Sequence, residues 1–145
     1  MALELYAVAQ DNEYYLVDNT DHRIVSFHDT SDGSYKISCF YIKNQPTYYG
    51  YENITITLLV DGEENSAVSS NGIVYQLLAM GSLSDLPSPE AWEHIPNNNS
   101  LAIANIPVNT ETTRYFALRT YVPKGHGANY ISEASIKINA VEIVD

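Results

Sequence analysis

A chain of 145 residues has room for one domain with a hydrophobic core of its own, and 45% hydrophobic against 17% charged residues sets it among globular rather than disordered proteins. Eighteen acidic side chains against seven basic ones leave a net charge of −11, which repels phosphate backbones and anionic lipid surfaces, so neither nucleic acid nor a membrane is an expected partner. Cys39 is the single cysteine and excludes an internal disulfide.

The N-terminal Met1-Ala2-Leu3-Glu4-Leu5 has no basic segment followed by an apolar one, so no secretion signal is read there. No apolar run approaches the roughly 18 residues of a membrane span. Short strands are expected at Leu3 to Ala9, Tyr14 to Asp18 and Arg23 to His28. Because residues up to about Thr30 lack bulky alternation, 1–30 reads either as an N-terminal arm or as a first edge hairpin. Tyr35 to Ile42 is a further strand, with Cys39 as a buried thiol within it. Ile54-Thr55-Ile56-Thr57-Leu58 alternates with period two, its aliphatic residues on one face and its threonines on the other. Ile73 to Met80 follows the turn signal Asn71-Gly72. Ser88-Pro89-Glu90-Ala91-Trp92-Glu93-His94 predicts one or two helical turns, with Ser88 as cap and Pro89 at the first position. Leu101 to Ile106 and Tyr115 to Val122 are the next strands, the latter stopped by Pro123 and Gly125. Around Ser135 to Ile143 the apolar positions shift phase from Ile136, Ile138 and Ala140 to Val141 and Ile143, which predicts a one-residue bulge in this last strand.

About nine short strands with at most one short helix give an all-β fold, a single antiparallel β-sandwich over 1–145 of Ig-like or jelly-roll-like type. No catalytic constellation emerges from the sequence. His22 and His28 have no third ligand in register for zinc. The turns Asp29-Thr30-Ser31-Asp32-Gly33 and Asp61-Gly62-Glu63-Glu64 lack the alternate-ligand spacing of a calcium loop. Lys124-Gly125-His126-Gly127-Ala128 lacks phosphate-loop spacing, and no serine stands in a nucleophile elbow. The expectation is therefore a non-enzyme without cofactor or metal. Asn53-Ile54-Thr55 and Asn98-Asn99-Ser100 fit the glycosylation pattern by chance, since no secretion signal accompanies them.

The tyrosines are the better signal, twelve in all. Tyr48, Tyr49 and Tyr51 lie between Pro46 and the strand at Ile54, with Gly50 among them, and three rings in such a loop cannot all point inward. Trp92 is either a stacking ring for a sugar or a plug that closes one end of the sandwich. Tyr48, Tyr49, Tyr51 and Trp92 are thus the expected interaction surface.

Three segments carry a family resemblance: Ser26-Phe27-His28-Asp29 with Gly33 shortly after, Phe40-Tyr41-Ile42-Lys43-Asn44 leading to Tyr48-Tyr49 and Ile54, and Tyr115 through Gly125. With Trp92 preceded by prolines, this pattern resembles a group of bacteriophage virion proteins, with the glycine after His28-Asp29 delayed to Gly33. The resemblance implies a head- or tail-associated structural protein, capsid decoration or tail and baseplate component. Its partners would be other virion proteins and copies of itself, and it would assemble in the host bacterial cytoplasm. The alternative is a carbohydrate-binding module or adhesin for a host surface glycan.

Overall fold

In the computed structural model, residues 3–8, 14–16, 23–27, 33–44, 47–60, 72–125 and 130–144 are described. They form β1 (Leu3–Val8), β2 (Tyr14–Leu16), β3 (Arg23–Phe27), β4 (Ser34–Asn44), β5 (Tyr49–Val60), β6 (Val74–Met80), α1 (Pro89–Trp92), β7 (Ser100–Ile103), β8 (Thr113–Val122) and β9 (Tyr130–Val144). Two antiparallel sheets result, in strand order β2-β1-β4-β8-β6 and β3-β9-β5-β7. The all-β sandwich is as the alternation predicts. The count of nine needs correction, because β2 and β7 are edge pieces of three and four residues, and seven strands reach five residues or more.

Every connection from β2 onward passes from one sheet to the other. An immunoglobulin domain keeps some consecutive strands in one sheet, so this chain is the more jelly-roll-like of the two expected types. Crossing at each step puts residues of distant segments side by side. Phe40 in β4 opposes Phe116 in β8, and their rings stack at 5.3 Å in the core.

Period two decides what is buried. Phe40 and Ile42 of β4, Phe116, Leu118 and Val122 of β8, and Tyr75 and Leu77 of β6 face Ile54, Ile56 and Leu58 of β5 and Ala134 and Ile136 of β9 in one cluster. Leu3 and Leu5 belong to it too, and β1 pairs with both β2 and β4. Within the first segment β1 and β2 thus pair at the edge of the first sheet, whereas β3 pairs with β9 in the second.

The predicted bulge lies on a different strand. Glu52 opposes Val141 and Thr55 opposes Asn139, so Asn53 and Ile54 of β5 together face one residue of β9. Asn53 takes φ 52, a left-handed conformation that asparagine tolerates. Burial in β5 thereby switches from Tyr51 to Ile54, Ile56 and Leu58, while β9 keeps its phase there and leaves Val141 exposed. An irregularity in β9 occurs earlier, where its pairing with β3 shifts between Ile24 and Ser26.

The segment between β6 and β7 folds back over the first sheet. Asp85 accepts hydrogen bonds from the Gly81 and Ser82 amides around a 3₁₀ turn, Leu83–Asp85. Ser88 caps α1, which has proline in its first turn as expected. Beyond α1, the Asn98 amide donates to the Tyr75 carbonyl, and the Asn98 side-chain oxygen accepts from the Leu77 amide. One asparagine so occupies backbone groups of edge strand β6 that another chain would otherwise pair with.

Candidate functional site

The sandwich has two ends. β4 runs eleven residues from Ser34 to Asn44, a length of roughly 33–36 Å. At the Asn44 end meet the turn between β4 and β5, the turn between β7 and β8, and the last residues of β9.

Asn44 organises this end. Its side chain is fully buried, and its amide donates to the carbonyls of Thr47 at 3.2 Å, Tyr49 at 2.9 Å and Thr110 at 2.9 Å. Its oxygen accepts from the Thr112 amide at 3.0 Å. A single amide thus pins two turns sixty-odd residues apart in sequence. Gly50 draws the same turns together, since a Cβ there would stand 2.8 Å from the Ile106 carbonyl oxygen and from the Val108 amide nitrogen. That close approach lets Tyr51 and Ile106 exchange both of their backbone hydrogen bonds, at 2.8 and 2.9 Å.

On this support stands an exposed apolar patch. Tyr48, Val141 and Val144 are 48%, 53% and 60% exposed, and Tyr49 opposes Val144 in register. The Tyr48 and Tyr49 rings contact each other at 4.6 Å and 37°. The Tyr49 hydroxyl is held above the ordinary phenol range, first by its hydrogen bond with Tyr48 and also by Tyr48's charge, burial and the Glu142 carboxylate. Tyr51 differs from its neighbours. Its ring is fully buried in the core, and its hydroxyl donates to Glu142 Oε2 at 2.9 Å.

The outward face of the first sheet carries a second aromatic array. Tyr6 stacks on Tyr41 at 4.8 Å, Tyr41 meets Tyr115 at 5.5 Å, and Lys43 Nζ lies 5.0 Å over the Tyr6 ring. Towards the Ser34 end, the Arg119 guanidinium lies 4.6 Å from the Tyr35 ring centre and 5.8 Å from that of Tyr121. Between these groups Cys39 opposes Ala117 across the β4–β8 pair, a small-residue hollow on an otherwise aromatic face. Trp92 is fully buried and clusters with Ala117 and Met80, with Cys39, Ile37 and Tyr115 packed around them. Gln76 locks the covering segment down, donating to the Trp92 carbonyl at 2.8 Å and to the Ile95 carbonyl at 2.6 Å.

Of the four expected surface residues, then, Tyr48 and Tyr49 lie together on the exposed end. Tyr51 and Trp92 do not. Tyr51 points inward because the Asn53 bulge sets its parity, and Trp92 covers the outer face of a sheet instead of closing an end or presenting a ring to a sugar. Val141, Val144 and Arg119 join the candidate surfaces; alternation turns Arg119 outward but gives none of the three a role.

Comparison with known protein families, curated proteins and solved structures gives no match. Function is therefore inferred from this geometry and from the sequence pattern.

Among the described residues no three His, Cys, Asp or Glu side chains converge as a metal site, and no helix is long and apolar enough to cross a membrane. His22 and His28 and the acidic turns at 29–32 and 61–64 lie outside the described residues. Cys39 is half-buried against the Trp92 cluster rather than in the sandwich core, and burial raises its thiol pKa above the ordinary value. At neutral pH the reactive thiolate is correspondingly scarce, and the packing around the sulfur hinders a bulky reagent as well. An aromatic disulfide reagent at pH 7.5 should modify Cys39 in the folded chain at least about tenfold more slowly than in urea. Equal rates would contradict this placement.

Proposed function

We propose that the chain is a structural component of a bacteriophage virion that works by protein–protein contact through the end bearing Tyr48, Tyr49, Val141 and Val144. The observation that carries this reading is exposed apolar area on a support that is already rigid. Asn44 and the close approach at Gly50 tie both turns before any partner arrives, so little ordering entropy opposes association. Tyrosine suits the task, because it offers wide amphipathic area with few rotatable bonds. The virion setting is supported by the likeness of the Lys43-Asn44, Tyr48-Tyr49 and Tyr115-to-Gly125 segments to phage structural proteins. It is also supported by an acidity that keeps many copies soluble.

Geometry favours a protein partner over a sugar. A stacking platform needs free, flat ring faces, whereas Tyr48 and Tyr49 tilt against each other and Tyr6, Tyr41 and Lys43 pack together. Changing Tyr48 and Tyr49 together to serine should leave the melting temperature within a few degrees and weaken co-sedimentation with particles at least tenfold, as interface aromatics often contribute about 2 kcal/mol each. Tyr51 stays untouched in this test because it is core. Undiminished particle binding by the double variant would refute the proposal, and specific glycan-array binding lost in that variant would establish the sugar reading in its place.

A further inference from the structure

Arg119 is out of keeping with its chain. Acidic residues outnumber basic ones eighteen to seven, yet the Arg119 guanidinium has no carboxylate partner among the described residues. Among the described residues its hydrogen bond is a neutral one, from Nη1 to Gln76 Oε1 at 2.8 Å, and its buried Nε meets no acceptor. The setting is nonetheless rigid. Gln76 is 3% exposed and anchored on the Trp92 carbonyl at the end of α1 and the Ile95 carbonyl after it, and Tyr35 and Tyr121 flank the cation. Tyr121 in turn relies on Gly33, at φ +79, where a Cβ would stand 2.8 Å from the Tyr121 hydroxyl. A guanidinium with its plane fixed by a glutamine and two aromatic rings, and with donors unspent, suits a forked carboxylate contact.

Exposed carboxylates are found at the other end of the sandwich. Glu52 on β5 is exposed and opposes Val141, and Glu111 is exposed between Thr110 and Thr112, both of which bond the Asn44 side chain at this end. Neither has an ion-pair partner among the described residues. Arg119 opposes Ile37 on β4, seven residues from Asn44, so roughly 23 Å separates the two surfaces along the strand. One molecule cannot close that distance, whereas a second copy can.

We infer that the Arg119 guanidinium, flanked by Tyr35 and Tyr121, receives a carboxylate from the tyrosine-bearing end of a second copy of this chain, Glu52 or Glu111, so that copies associate head to tail. The inference rests on the reading of that end as a contact surface and adds its complement. Donor and acceptor surfaces differ, so the contact is heterologous and propagates into a ring or a filament instead of closing as a two-fold dimer.

Sedimentation velocity of the purified chain over a wide concentration range, at low and high ionic strength, tests this. Wild type should associate reversibly, and more strongly at low salt. Arg119→Gln should weaken association about tenfold or more, and Arg119→Lys should recover little of it, since an ammonium cannot reproduce the fork. Arg119→Glu should be monomeric alone but should still offer its own tyrosine end, so that mixed with wild type it caps growing assemblies. The exposed double change Glu52→Lys with Glu111→Lys, which leaves the Gln76–Arg119 network intact, should show the same loss. A wild type that stays monomeric throughout, an Arg119→Gln that associates normally, or a capping variant that ignores wild type would each overturn the inference. Particle co-sedimentation of Arg119→Gln is read separately. Self-association lost with particle binding kept supports the inference, whereas self-association unchanged in both the Arg119 and the Tyr48/Tyr49 variants removes it without touching the particle contact.

Discussion

Replacing Asn44 with alanine should lower the melting temperature by ~10 °C, more than any exposed substitution in the chain. The change strips partners from the Tyr49 and Thr110 carbonyls and the Thr112 amide, all gathered around a side chain with no solvent access. Unsatisfied groups of this kind cost about 1–3 kcal/mol each, and water entering the vacated space recovers part of it, leaving a loss of about 3 kcal/mol. At this chain length that corresponds to ~3–4 °C for each kcal/mol. Asn44→Asp sharpens the test, because it keeps the shape and reverses the chemistry. A carboxylate facing three carbonyl oxygens is disfavoured in its charged form, so the new carboxyl has a higher pKa folded than its unfolded value of about 3.9. The folded state then binds the proton more tightly. The deficit relative to wild type is smallest below about pH 4 and grows as pH rises through the raised pKa. Thermal melts of both variants at pH 3.5 and 7 decide the matter. An Asn44→Asp deficit that shrinks with rising pH, or an Asn44→Ala melt within about 2 °C of wild type, would show that the turns are held by something else.

Much of the fold is legible in the sequence because alternation survives in short strands. All nine expected segments contain strand, and the cap at Ser88 with Pro89 behind it marks α1. What alternation cannot report is which strand lies beside which. The phase change at Val141 reads locally as a bulge in β9, yet the extra residue is Asn53 in β5, and the passage from Tyr49 and Tyr51 to Ile54, Ile56 and Leu58 carries that signal in plain view. The same ambiguity puts Tyr51 on the expected surface. Asn53 and Asn98, both at the head of Asn-x-Ser/Thr patterns, serve as a bulge residue and an edge cap. Asn44 carries no signal beyond its place in the resemblance, because its partners lie both three residues away and sixty-six away. Arg119 stands out only as an outward residue on an alternating strand. Its relation to Tyr35 and Gln76 depends on pairings across β4, β8 and β6 that no local pattern encodes.

The hollow formed by Cys39 and Ala117 gives the second large effect, at Trp92. Truncation of a buried tryptophan to alanine typically costs about 3–5 kcal/mol. Here the loss falls on the outer face of a sheet, where removal of the ring opens the surface of Met80 and Ala117 and loosens the segment that Gln76 anchors. Trp92→Ala should therefore melt ~10–15 °C below wild type, and Cys39 should react faster with thiol reagents while the main core remains folded. Trp92→Phe is the informative companion. The buried indole Nε1–H has no acceptor among the described residues, so phenylalanine removes an unsatisfied donor at the same time as it removes ring area. Its cost should be less than half that of alanine, with Cys39 still protected. Because Trp92 is the sole tryptophan, its own emission should be blue-shifted in the native chain and move to the red in a single step on unfolding. Native emission already at the fully hydrated position, or alanine and phenylalanine variants equally unstable and equally reactive at Cys39, would show that the ring does not fill the hollow.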